Sequence, residues 1–396
     1  MKKLSLFSSL FILIFFSCQK EIDDPSVTDQ DEMMQKAYEA CRILSSFKET
    51  FVCNVTRSSS DVIYPTYFGG TYLDEDKNPV ILTTDMTKQG VIKELAGSDA
   101  VIVKPCVYSY NYLHDIDNRI IDCLRKRPEL LERVGINRFG VISDENCIEV
   151  TLVTCTPEKI NLFKSLIIDE PVIKFNEDPS IMTLSSESTD SLAKVSSTAS
   201  SAAPVTLLLG MGGPSAKGVG LVISFRARNG SIRGYVSSGH AAELGGGALT
   251  DLRYGERGVV GRIVAVYTSF SVDASFCQIY DDSGIEIQSR FRNGTVIPPM
   301  GIDPQKNGPV RIEPSSGVIT RESVTVSYSV GKKGYMISDC GEATYEANDG
   351  NSGYLAYLDY GNHEIYGIHV GYNKSMRRSY FCKVENINAA FGLSMY

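Results

Sequence analysis

The chain has 396 residues, long enough for two or three domains, and is 43% hydrophobic and 22% charged with 34 glycines, the make-up of a soluble globular protein. Its net charge of −8, with no long basic run, argues against nucleic acid as the main partner. With no C-x-x-C pair, phosphate loop or cofactor fingerprint, no metal and no cofactor are expected. Residues 1–17 read as a targeting segment: Lys2 and Lys3 form a basic end, and Leu4 to Phe16 an apolar stretch too short to span a bilayer comfortably.

The "FFSC" that closes this stretch resembles the lipobox of bacterial lipoproteins, which implies lipidation at Cys18 and a membrane anchor on an otherwise soluble body. The following "QKEIDD" resembles the acidic signal that sends lipoproteins of some Gram-negative bacteria to the cell surface. A plain cleaved signal peptide is the alternative. Ten cysteines leave nine once Cys18 is set aside, an odd number in a compartment that permits disulfides. Spacing does not assign the pairs; Cys340 with Cys382 is one candidate.

A polar tether over 18–32 precedes a unit at 33–180. "EMMQKAYEACRILSSFKETF" has helical spacing of apolar residues. Strand-like runs follow in "TYFGGTYLDE", "NPVILTTD" and "DAVIVKPCVYS". "YNYLHDIDNRIIDCLRKRPELLERV" is again helical, and "RFGVISDENCIEVTLVTC" reads as two strands around a turn at Asp144 to Asn146. Thr156, with Glu158 close behind, signals the start of a helix in "TPEKINLFKSLI". The unit is therefore expected to be α+β.

Residues 181–204, rich in Ser, Thr and Ala and free of aromatics, read as a linker. Beyond it, over 205–396, short alternating runs are separated by Gly, Asn and Asp, and helical pattern is nearly absent until "CKVENINAAFGL". That texture predicts an all-β sandwich or barrel.

This β-domain holds three of the four histidines. His240 ends a strand in "GYVSSGHAAEL", Asp273 enters one in "SVDASFCQI", and Ser352 sits in "DGNSGY". A serine hydroxyl needs an adjacent base to attack. A histidine takes that proton and returns it to the leaving amine, while a buried carboxylate fixes the imidazole tautomer. Small residues around the serine let the N–H groups of Gly350 and Ser352 turn toward one developing oxyanion. A lone G-x-S-G is common by chance; the weight comes from all three motifs in the order His, Asp, Ser.

With these residues the β-domain resembles the chymotrypsin-fold serine proteases, especially the bacterial α-lytic and glutamyl endopeptidase branches. "GYVSSGHAA" is similar to their "GFVTAGHC" strand, "VDASFCQI" to their "D-[FYI]-A-x-[IV]" strand, and "GNSG" to the serine loop of the glutamyl enzymes. The resemblance implies a chymotrypsin-like double β-barrel, with His240 the general base, Asp273 the orienting acid, Ser352 the nucleophile and Gly350 an oxyanion donor. Asn351 stands where the animal digestive enzymes have Asp, so activation by a freed N-terminus is not expected. Tyr354 and Leu355 follow where small residues are usual, and Ser238 replaces an Ala.

In that fold the strand of "YGIHVGYN" lines the first specificity pocket, which places His369, Val370, Gly371 and Tyr372 against an extended protein or peptide substrate. His369 resembles the pocket histidine of glutamyl endopeptidases and picornaviral 3C proteases, which implies cleavage after Glu, with Gln or Asp less favoured. The Thr that assists it in those families is Ala347 here, and Thr344 or Asn348 are the candidate replacements. His363, in the turn "YGNHE", reads as solvated, and His114 as a surface or interface residue.

Residues 33–178 resemble the pro-regions of α-lytic-type proteases, which implies a folding assistant that also blocks the site until cut. An all-β body with many non-local pairings folds slowly, a physical motive for such help. Glu187 is the sole Glu between residues 178 and 242, and so a candidate self-cleavage point. The expectation is an N-terminal α+β pro-domain and an all-β chymotrypsin-like protease domain, in a lipid-anchored precursor at the outer membrane or cell surface of a Gram-negative bacterium. A catalytically inactive module of the same fold that binds proteins is the alternative.

Overall fold

The computed structural model describes residues 25–52, 63–180, 183–184, 204–269, 271–330, 333–348 and 350–396. The signal segment, Cys18 and Glu187 lie outside them. Helix α1 (Pro25–Val52) reaches back into the stretch read as tether. A three-stranded sheet follows, β1 (Phe68–Leu73), β2 (Pro79–Thr83) and β3 (Ile102–Pro105), with α2 (Gln89–Ala96) between the last two strands. The long helical run is two helices, α3 (Tyr110–Lys126) and α4 (Glu129–Val134). Pro128 separates them, since it has no N–H to continue the first. The hairpin β4 (Ile136–Ile142) and β5 (Cys147–Leu152) turns through Asn146 at φ +48°. Thr156 caps α5 (Pro157–Leu166), accepting from Lys159 N. β6 (Ile173–Glu177) then pairs parallel to β5, and β7 (Thr183–Leu184) ends the unit.

The second half begins with β8 (Val205–Leu208), β9 (Gly212–Ala216), β10 (Val219–Val222), β11 (Phe225–Asn229) and β12 (Ile232–Ser238). Next come α6 (Gly239–Leu244), β13 (Asp251–Arg253), β14 (Val259–Ser269), β15 (Val272–Ile279) and β16 (Ile285–Gln288). The chain continues through β17 (Pro309–Ile312), β18 (Ser315–Val330), β19 (Lys333–Ala343), β20 (Leu355–Tyr357), β21 (Ile365–Asn373) and β22 (Arg378–Lys383). It ends with α7 (Val384–Phe391) and β23 (Ser394–Met395). Eight strands form one sheet in the order β10-β9-β13-β14-β15-β12-β11-β23. The order β17-β20-β21-β22-β19-β18 closes on itself because β17 also pairs with β18, giving a six-stranded barrel. The expected order, α+β and then all-β, is the one observed.

The two halves are built into each other. β4 pairs antiparallel with β18 (Phe139 opposite Thr325, Arg138 opposite Val326), so β4, β5 and β6 extend the barrel's sheet. Gly140 makes this possible: a Cβ there would lie 2.5 Å from the Ser323 carbonyl oxygen. One hydrophobic cluster joins Leu44 and Phe47 of α1 and Phe68 of β1 to Val310, Tyr345, Tyr366 and Phe381 of the barrel half. Each such side chain contributes about 1.5–3 kcal/mol when fully buried. Polar contacts cross the same boundary: Lys48 with Asp303 at 2.6 Å, Lys306 with Asp144 at 2.6 Å, and Arg138 with the buried Glu342 at 3.4 Å.

Candidate active site

β12 delivers His240 and β15 delivers Asp273. The two strands pair with Ser238 opposite Ala274, which puts the first turn of α6 beside the start of β15. Asp273 is 1% exposed and His240 7%. Asp273 Oδ2 lies 2.5 Å from His240 Nδ1, and its Oδ1 accepts from the His240 backbone N–H at 2.7 Å. Both oxygens are thus spent on one residue, which fixes the position and the ring orientation of the imidazole. Gly239 is needed between them, since a Cβ there would meet Asp273 Oδ1 at 2.6 Å and the Tyr267 carbonyl oxygen at 2.2 Å. Ser238 caps α6 by accepting from Ala241 N, and its Oγ stands 3.2 Å from His240 Nδ1. Behind the pair, the Asp273 N–H donates to Cys382 Sγ at 3.2 Å.

Ser352 lies in the loop between β19 and β20. Gly353 N–H donates to the His369 carbonyl at 2.8 Å, and His369 N–H donates to the Tyr354 carbonyl at 2.8 Å, so the loop is laced to β21. Ser224 Oγ donates to the Gly353 carbonyl. Gly350 has φ +93° and Gly353 φ +88°, backbone that favours glycine. A Cβ at Gly353 would also sit 3.1 Å from Ser238 N, which shows how closely the serine loop abuts the strand end that carries His240. The Gly350 and Ser352 N–H groups enter no hydrogen bond among the described residues. Ser352 Oγ donates to the Val370 carbonyl at 3.3 Å. No hydrogen bond joins Ser352 Oγ to His240 among the described residues. Tyr354 packs at the edge of the cluster shared with α1.

β21 is paired with β20 only as far as Ile368, while β22 runs beside it to Asn373. No strand pairing is therefore formed on that side of Val370, Gly371 and Tyr372 among the described residues, although β7 passes near β21. The ladder to β22 shifts between His369 and Gly371, a bulge at Val370. At the end of this edge, Asn373 Nδ2 donates to Ser180 Oγ of the N-terminal unit at 3.3 Å.

His369 is 2% exposed, and its Nδ1 lies 3.0 Å from the Tyr345 hydroxyl. Burial pushes the imidazole down to about 3, with the charge of nearby His240 adding to the effect. Burial likewise holds the Tyr345 phenol well above its ordinary value, so the phenol keeps its proton. Thr344 Oγ1 instead accepts from Val318 N, and the Asn348 N–H donates to Asn351 Oδ1, so the histidine's partner is neither of the expected candidates. Tyr345 stands seven positions before Ser352, and nothing in its local pattern signals the role.

The remaining histidines hold other places. His363 is half-buried, at 3.3 Å from the Leu358 carbonyl with its ring edge-on to Tyr357, rather than simply solvated. His114 faces the barrel half from α3; its Nε2 has no hydrogen-bond partner, and burial pushes it down to about 4. Cys340 and Cys382 do face each other across β19 and β22, but as free thiols; all eight described cysteines are free. No helix among the described residues is long and apolar enough to cross a membrane.

Two family descriptions match the N-terminal half: "Pro-like N-terminal domain" over residues 26–106 and "Pro-like C-terminal domain" over 111–178. These bounds separate the β1–β3 sheet with α1 and α2 from the α3–β6 portion. No curated protein matches the chain. Among solved structures, protease A of Thermobifida fusca is 18% identical, at a TM-score of 0.38, covering 48% of this chain and 98% of its own. A chymotrypsin of Cellulomonas bogoriensis is 19% identical, at a TM-score of 0.39 and with 48% and 99% covered. A glutamic acid specific serine protease, described as using a histidine triad in substrate binding, is 20% identical at a TM-score of 0.40, with 48% and 100% covered.

Proposed function

We propose that the β-domain is a serine endopeptidase with Ser352 as nucleophile, His240 as general base and Asp273 as the acid that orients it. The observation that carries this reading is the pair of bonds from one buried carboxylate to His240, next to a serine loop with two unspent N–H groups. Held by Asp273, Nδ1 keeps its proton and Nε2 is left basic. Ser352 Oγ attacks the scissile carbonyl carbon as its proton passes to Nε2. The carbonyl oxygen, now anionic, is met by the Gly350 and Ser352 N–H groups. The proton then leaves on the amine, and water repeats the sequence to free the acid. The open edge at Val370 to Tyr372 pairs with the substrate backbone.

His369 beside that edge favours Glu before the scissile bond, with Gln and Asp less favoured. The N-terminal half acts as a pro-region, and three features support that: its matched descriptions, its strand addition at β18, and Ser180 at the end of the substrate edge. Cys18 carries the lipid that anchors the exported precursor at the outer membrane or cell surface, and cleavage after Glu187 in the linker releases the protease domain. A peptide-library profile with the linker-cut protein tests the specificity. Cleavage after Glu that Ser352→Ala abolishes supports the reading, and a profile without acidic or amide preference refutes it. Full-length protein that persists in the wild type, or is cut equally in Ser352→Ala, refutes self-processing. The bond from Ser352 Oγ to the Val370 carbonyl favours a second reading, an inactive module that binds peptides along β21.

A further inference from the structure

We propose that Ser238 is a positioning residue: its hydroxyl oxygen takes a share of the His240 Nδ1 proton and stabilises the imidazolium that forms as Ser352 attacks. This rests on the reading of His240 as general base and Ser352 as nucleophile. Ser238 closes β12, caps α6 and is 1% exposed. Its backbone is held on two sides. The carbonyl accepts from Ser275 Oγ of β15 at 3.1 Å, and a Cβ on Gly353 of the serine loop would stand 3.1 Å from its N. The side chain reaches into the first turn of α6, where Oγ accepts from the Ala241 N–H at 3.3 Å and stands 3.2 Å from His240 Nδ1.

A hydroxyl has two lone pairs, so one oxygen can serve both the Ala241 N–H and the Nδ1–H. Asp273 Oδ2, at 2.5 Å, takes the short limb of the Nδ1 bond and Ser238 Oγ the long one. A hydrogen bond from a charged donor is about twice as strong as one from a neutral donor. The contact therefore favours imidazolium over imidazole, and burial keeps water from replacing it. The titratable groups about His240 are Asp273 of β15, His369 of β21, the Cys382 thiol behind Asp273, and Glu243 of α6, which accepts from Thr268 Oγ1 of β14 at 2.6 Å. Burial pushes His369 down to about 3, so it stays neutral throughout the test below.

The test is the second-order rate of fluorophosphonate labelling at Ser352 in the full chain, followed from about pH 5 to about pH 9 for wild type, Ser238→Ala and Ser238→Cys. Above the acid limb of the profile the free enzyme holds a neutral imidazole and must create the imidazolium during attack. There Ser238→Ala is expected to label about tenfold more slowly. Below the limb the free enzyme already holds an imidazolium, so losing the contact costs the starting state and the transition state alike, and the two rates converge. The limb itself moves to lower pH by about one unit, the same tenfold. Ser238→Cys keeps the size of the side chain with a weaker acceptor, and its gap above the limb is expected to be about threefold. It carries the test if circular dichroism shows Ser238→Ala to be unfolded. A rate lowered by one factor at every pH would mean a helix cap and nothing more, and overturns the proposal; so does a profile that matches wild type. Either result leaves His240 and Ser352 in their roles. Absence of any wild-type adduct, before and after the linker is cut, overturns the reading on which the proposal rests.

Discussion

Gly140→Ala probes the seam between the two halves. The added Cβ would stand 2.5 Å from the Ser323 carbonyl oxygen and 2.9 Å from Val324 Cα, both backbone atoms that no rotamer change can move. Carbon atoms rest at about 3.5 Å from such neighbours, so β4 and β18 must part locally by about 1 Å. The pairings of Phe139 with Thr325 and Arg138 with Val326 are loosened. Two backbone hydrogen bonds at about 1 kcal/mol each, with overpacking of ~1–3 kcal/mol, are exposed to this change. Because the two costs overlap, the net loss is about 3 kcal/mol, or about a hundredfold in the dissociation constant. The assay is calorimetric titration of the N-terminal unit against the β-domain after cutting an engineered site in the linker. A variant constant within about threefold of wild type would refute the claim that this close approach holds the halves together.

Asp273→Asn keeps an oxygen for the His240 backbone N–H but turns an amide NH₂ toward Nδ1, which reverses the imidazole tautomer. The expected loss is ~10³–10⁴ in kcat, with the fold intact by circular dichroism; a loss under tenfold would contradict the assigned role. Asp117 on α3 is buried with Oδ1 unpartnered, and desolvation raises its carboxyl to about 7, with the charge of Asp339 adding. Its folded value lies above the ordinary one, so its contribution is complete at low pH and is lost as pH rises from about 4 through 7. Asp117→Asn, which copies the protonated form, is expected to raise Tm at pH 8 by removing a cost of up to ~4 kcal/mol, and to leave Tm near pH 4 almost unchanged; an equal effect at both pH values would contradict this. Mass spectrometry of the membrane fraction is expected to find a diacylated or triacylated Cys18 as first residue, and any other mature start refutes the anchor.

Much of the strand pattern was legible because a strand reports itself locally, by alternation and by the turn residues that bound it. The cap at Thr156 was legible for the same reason, whereas the break at Pro128 that splits the long helical run into α3 and α4 was not read. Helix α2 went unread, since its one strong terminal signal is Gly97 in the left-handed conformation behind it. The parallel partnership of β5 and β6 and the union of β4 with β18 could not be read, because edge pairing depends on which backbones meet and not on side-chain pattern. At the site, His240, Asp273 and Ser352 sit in short motifs at strand ends, and the chain brings the first two into direct contact. Tyr345 could not be found this way: it lies in the loop after β19 while its partner lies on β21, and a buried tyrosine at that position looks like ordinary core.

The most direct test of the central claim is the rate of fluorophosphonate labelling, read by intact mass for the full chain and for linker-cut protein freed of its N-terminal unit, beside Ser352→Ala and His240→Ala. The account predicts a single adduct at Ser352, faster once Ser180 is removed from the end of the substrate edge, and lost in both variants. Absence of an adduct in the freed β-domain, with circular dichroism showing it folded, would contradict an assembled nucleophile and leave the peptide-binding module standing.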